Sequence, residues 1–323
     1  SDLMGVLVLG LTGSVVLSAL VFVCAMLPNL VLGPIAGTFV DRWDQRRVMI
    51  AADLIRRQLG EELRVQFQRA ATSSQEAWLL AQRALRQQRA MQEAYGRGEP
   101  EAAAAAYAAA DSVLAIAEAL DPAWSGPAGM RAMLAYRRSR TVGSDQGQIR
   151  LLVDQGVKHA DRALATNAND ADALEARGTL RFWSYLALPY SSTAEKDRVL
   201  LAARADLERA TDINRRQAGA YATLAAAYAY IPDKTTSDIY IAAVNAFEAD
   251  EFLEGANLNF SRAFNAQYDL GNAAAAKEWC DRFSRRFPTD PRALRCRLYV
   301  MTMPAAPDVS IPRAWALVDS IVE

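Results

Sequence analysis

The sequence predicts an all-α fold, a helical-repeat solenoid of five to six helix pairs preceded by a transmembrane helix or helical hairpin. Three observations predict it. Hydrophobic residues make up 52% of the chain but aromatics only 8%, and much of the difference is alanine, the best helix former. Strand formers are scarce after residue 60, where one helix–turn–helix plan recurs. From Leu3 to Val40 there is no charged residue.

The apolar stretch comes first. As one helix it would run to about 57 Å at ~1.5 Å per residue, well beyond a hydrocarbon core of about 30 Å. Either a turn near Thr12-Gly13-Ser14 separates two spans, or one tilted helix carries surplus length. No basic region precedes it, which disfavours a signal peptide. Asp41, Arg42, Trp43, Asp44, Gln45, Arg46 and Arg47 follow directly, then Arg56 and Arg57. Basic residues flank the cytoplasmic end of a span, and tryptophan favours the interface. Residues 1–57 are therefore expected to be a membrane segment, anchored through residues 3–40, with a cytoplasmic flank.

Leu11 to Ser14, Leu27 to Gly37 and Val48 to Arg56 resemble the end of the first span, the second span and the following loop of major facilitator superfamily drug exporters. Gly37, Asp41, Arg42, Arg46 and Arg47 match the loop motif that helps gate the inner face in that family, with Asp44 and Gln45 departing from it. The resemblance implies a transporter fragment. Residues 58–74 read as a polar linker or juxtamembrane helix, because Gln58-Leu-Gly-Glu61-Glu62-Leu-Arg64 is too polar to be a third span, and a transport path needs many spans. The fragment is thus an anchor, and Glu61-Glu62 a solvated face.

The array is expected over residues 75–303. Its clearest unit carries Phe264, Tyr268, Gly271, Asn272, Ala273 to Ala276, Phe283, Phe287, Pro288 and Asp290-Pro291. Small residues let two helices approach, glycine turns the chain, and Asp-Pro opens the next pair. Order and spacing resemble the tetratricopeptide repeat. Tyr95-Gly-Arg-Gly98, Arg131 to Tyr136, Arg177 to Phe182 and Tyr221 to Tyr228 take equivalent first-helix places. Second helices end at Ala119-Leu-Asp-Pro122, Ala163 to Asn167 and Glu208 to Asp212. The alanine-rich run from Glu101 to Ala110 continues an apolar face through Tyr107, Val113, Leu114 and Ile116, and reads as a packed helix rather than a disordered segment. Three prolines break the pattern between Pro304 and Pro312, and residues 304–323 read as a capping helix with a polar outer face.

Residues 62–323 also resemble the repeat region of bacterial membrane serine/threonine protein kinases, through Ala110 to Ala115, Asp172 to Gly178, Tyr268 to Gly271, Glu278 to Cys280, Arg286 to Pro288 and Ala314 to Val318. That resemblance implies a sensory or docking role, with the repeats outside the cytoplasm. The flanking charges put them inside. No glycine-rich phosphate loop, Val-Ala-x-Lys, His-Arg-Asp or Asp-Phe-Gly is present.

Chemistry finds little footing. Net charge is −1 from 36 basic and 37 acidic residues, without the basic patch that nucleic acid requires. Cys24, Cys280 and Cys296 have no C-x-x-C spacing and are expected as small buried apolar residues, giving neither a disulfide framework nor a zinc site. His159, the single histidine, is expected on a surface or in helix packing. No cofactor, metal or catalytic set is expected, so the chain reads as a non-enzyme. Its candidate face binds a protein or peptide partner through Tyr95, Tyr136, Arg137, Arg181, Phe182, Asn265 and Tyr268, near the ends of first helices. The competing reading, weighed above binding, is that the aromatics pack between repeats.

Overall fold

The computed structural model describes residues 72–303 and 310–322. The expected membrane segment, its basic flank, nearly all of the 58–74 linker and residues 304–309 lie outside the described residues. Among those described there are twelve α-helices and one 3-10 turn, with no strand. The all-α array of helix pairs expected from the sequence is therefore the fold.

α1 (Gln75–Gly96) and α2 (Pro100–Leu120) form the first hairpin. Ser74 caps α1 by accepting from the Ala77 N–H, and proline opens α2, where no donor is lost. Between them Gly98 adopts φ +75°. Its N–H donates to the Tyr95 carbonyl at 3.0 Å, and the Glu99 N–H donates to Ala94 at 2.9 Å. A left-handed residue closes a helix end in this way, satisfying carbonyls that have no partner within the helix.

α3 (Gly126–Ser139) follows. The chain divides into two compact units after Leu134, inside α3 and inside the span expected as a single array. In the first, Ala81, Ala84, Met91 and Ala94 of α1 pack with Ala103, Ala110 and Leu114 of α2 and with Leu134. The alanine-rich run is thus a packed helix. By length and composition α2 is also the one described helix apolar enough to cross a membrane. Arg131 ties the unit together by pairing with Asp111 at 2.8 Å and Glu118 at 3.0 Å.

The second unit, from Ala135, holds α4 (Gln146–Thr166), α5 (Ala171–Ala187), α6 (Thr193–Ile213), α7 (Ala218–Ala227, prolonged by the 3-10 turn Tyr228–Tyr230), α8 (Thr236–Ala249), α9 (Ala256–Asp269), α10 (Ala273–Arg286), α11 (Pro291–Val300) and α12 (Ile311–Val322). Asp145, Asp170, Ser192, Thr235 and Asp290 cap α4, α5, α6, α8 and α11 with their side chains, each supplying an acceptor to an otherwise orphaned N–H. Consecutive helices pack as hairpins, and the first helices α5, α7, α9 and α11 also touch in sequence. That second set of contacts makes an array out of hairpins. Close approach has a residue-level cause: a Cβ on Gly178 of α5 would lie 2.6 Å from Leu207 Cγ of α6.

Two expectations are corrected. Cys280 of α10 and Cys296 of α11 are joined in a disulfide, with Cα atoms 5.7 Å apart. The hairpin folds back through Asp290-Pro291, so helix packing rather than sequence spacing brings the sulfurs together. The outer side of α12 is not uniformly polar: Ile311 and Trp315, 71% and 64% exposed, stand there with Arg313, Asp319 and Ser320, while Leu317 is turned inward.

Candidate functional site

The first helices of the second unit carry most of the candidate face, and they treat its residues differently. Phe182 is only 6% exposed. It packs with Leu200, Ala203, Ala227 and Ile231, and its ring lies 6.3 Å from Tyr185 and 6.1 Å from Tyr230. Arg181 pairs with the buried Asp206 of α6, which also takes a two-pronged contact from Arg177 at 2.9 and 2.6 Å. Both residues therefore belong to the seam between helices, because the face of α5 that carries them turns toward α6. The competing packing reading applies to them.

Tyr136 and Arg137 lie on the last turn of α3. The Tyr136 hydroxyl accepts from Arg140 at 2.9 Å, and the Arg140 guanidinium sits 5.1 Å above the Trp183 ring, a cation–π distance. Arg137 forms an ion pair with Glu254. Tyr268 is half-buried, with ring contacts at 5.9 Å to Phe264 and 5.5 Å to Tyr299. Asn265 is exposed. Tyr95 is exposed on α1, in the first unit. Gly37, Asp41, Arg42, Arg46 and Arg47 lie outside the described residues. His159 is half-buried, its Nδ1 2.7 Å from Arg162 Nη2. Among the described residues no three His, Cys, Asp or Glu side chains cluster as metal ligands would.

Two features escaped the sequence. The first is an acidic junction between α5 and the start of α7. Gln217 Nε2 donates to Asp172 at 2.6 Å and to Glu175 at 2.8 Å. A Cβ on Gly219 would fall 2.1 Å from Glu175 Oε1, so the carboxyl occupies space that only glycine leaves. Burial pushes Glu175 up to about 7, against the Gln217 hydrogen bond and with help from the Asp172 charge. Chemically, the junction can hold a proton near neutral pH.

The second is Arg262 on α9. It is half-buried, and its guanidinium donates to Asn259 Oδ1 at 3.1 Å. Among the described residues it has no carboxylate partner, unlike Arg131, Arg137, Arg177, Arg181 and Arg204. Burial and the nearby Arg292 charge both lower its pKa. Asn265 stands one turn further along the same helix face, with Leu258 one turn before. The exposed Tyr230 lies near enough for its phenol to bear on Arg262. No periodicity marks such a residue, since an unpaired arginine and a paired one look alike in sequence. Gly219 was the one local signal for the acidic junction.

No family model matches the chain, and no curated protein matches it. Among solved structures, a thermophilic TPR protein from Thermus thermophilus aligns at 15% identity with a TM-score of 0.45, covering 68% of this chain and 99% of its own. So loose a likeness carries no argument, and the repeat architecture stands on its own helices.

Proposed function

We propose that the repeat region is a non-enzymatic protein-interaction scaffold whose first-helix face takes an extended, acidic segment of a partner protein. The observation that carries the reading is Arg262. A guanidinium withdrawn from water without a carboxylate is left with an uncompensated desolvation cost. A partner Asp or Glu would remove that cost through a two-pronged, charge-assisted contact. Asn265, exposed beside it, offers both a donor and an acceptor to a partner backbone. Arg137 and Arg181 already hold internal carboxylates and would contribute charge more than contact. Anchoring through residues 3–40 belongs to the same proposal, since it would hold the scaffold at a membrane.

The test uses the full chain and a set of extended peptides graded from basic to acidic, read by fluorescence anisotropy. Acidic peptides should bind, and Arg262→Gln should weaken them at least about tenfold, the scale for losing one partner of a desolvated charge pair. Arg198→Gln, on the exposed side of α6, should leave binding unchanged. Equal affinity for acidic and basic peptides, or full binding by a folded Arg262→Gln, would reject the reading.

A further inference from the structure

We propose that the repeat region folds and works outside the reducing cytosol, with the α10–α11 contact closed by thiol–disulfide exchange during folding. The bond joins two helices of the second unit across the Asp290-Pro291 turn, with Cα atoms at 5.7 Å, inside the usual range of about 4.4–6.8 Å. Both cysteines are 1% exposed and sit in the core with Phe260, Phe283 and Ala293. Because no reagent reaches them in the folded array, oxidation must accompany the closing of this hairpin.

The chemistry then selects the compartment. The Cys280 or Cys296 thiolate attacks the disulfide of an oxidising donor protein and releases one donor thiol. The second cysteine attacks the resulting mixed disulfide and releases the other. One S–S bond forms and one breaks, and two electrons and two protons pass to the donor. Cytosolic glutathione and thioredoxin drive this exchange backward in a nascent chain, whereas extracytoplasmic compartments drive it forward.

Residues 58–74 contain Glu61, Glu62, Arg64 and Arg69 and are too polar to cross a bilayer. An oxidised array therefore places the flank of Arg42, Arg46 and Arg47 on its own side of the membrane, opposite to the side that the basic charges favour.

The experiment takes cells that make the full chain naturally. Acid-quenched cells are alkylated before any reductant is added, and the tryptic peptides Glu278–Arg282 and Cys296–Arg297 are weighed. They should emerge as one linked species. In parallel, a membrane-impermeant amine reagent is applied to intact spheroplasts, and should label Lys277, whose side chain is exposed beside the hairpin. Quantitative alkylation of both thiols before reduction would overturn the bond. A linked pair with Lys277 labelled only after lysis would overturn the compartment.

Discussion

The α1–α2 and α9–α10 hairpins turn through the same backbone and bury opposite kinds of side chain. Gly98 and Gly271 sit at φ +75° and +76°. In each, the glycine N–H donates to a tyrosine carbonyl at 3.0 Å and the next N–H reaches back at 2.9 Å. Beyond the turn the likeness ends. α1 and α2 run for 22 and 21 residues and meet through alanines, with Met91 and Leu114 as the large members. α9 and α10 have 14 residues each, and rings join them. Phe260 lies 5.7 Å from Phe283, 5.9 Å from Trp279 and 5.9 Å from Phe287. Arg282 covers the outer side of Trp279 at 4.3 Å.

The difference teaches how one repeat plan is stabilised in two ways. Alanine gives up no rotamer freedom on burial but removes little surface from water, so the contact must be long. An aromatic ring removes about 150–250 Å² at once, so a short hairpin suffices. Composition also misleads differently in each. The alanine helix α2 is long and apolar enough to cross a membrane, although Ala103, Ala110, Leu114 and Ala117 are packed into the unit.

The largest expected effect separates the two packings. Phe283→Ala removes a fully buried ring and should cost about 3–5 kcal/mol. In the alanine seam the damaging change runs the other way. Ala103→Leu should cost about 1–3 kcal/mol by overpacking, because helices held apart by alanine have no room for a larger side chain. Denaturant midpoints of the two variants would measure both. A smaller loss for Phe283→Ala than for Ala103→Leu would break the contrast.

Next comes pH, where the two units should respond with opposite sign. In the first unit the Thr72 hydroxyl, together with backbone N–H groups, holds the Asp121 carboxyl below its ordinary range. Its contribution is present above the unfolded pKa and is lost as pH falls. In the second unit Glu175 is raised from about 4.5 to about 7. The folded state then binds more protons between those values, so the stabilisation is full below pH ~4.5 and disappears as pH rises through 7. The ceiling is about 3 kcal/mol, at ~1.4 kcal/mol per pKa unit. Thermal melts of Glu175→Gln should have lost this decline between pH 5 and 8 while keeping the acid-side loss. A wild-type midpoint that stays flat over that window would disprove the sign.

The smallest effect sharpens what the hairpins share. Gly98→Ala and Gly271→Ala should each cost about 1 kcal/mol, the penalty of a Cβ in left-handed backbone. Nothing lies within 4 Å of the added atom at either site, so the two values should agree. A large disagreement would show that the turns are not equivalent.

Helix pairs, turn glycines and Asp-Pro starts were legible because each is a local preference. Tyr95-Gly-Arg-Gly98 and Tyr268-Asp-Leu-Gly271 place the turn whatever the rest of the chain does, and alanine content alone selects helix. What tertiary structure decided is which residues meet. Arg181 and Arg262 occupy similar first-helix settings, yet Asp206 neutralises one while the other has only Asn259. Cys280 and Cys296 look like isolated buried thiols until α10 and α11 fold together. Glu175 titrates near neutrality only because packing against residues distant along the chain, Gly219 among them, buries its carboxyl by more than the Gln217 hydrogen bond offsets. Pairing, burial and charge shift are properties of neighbours distant along the chain, and no local pattern encodes them.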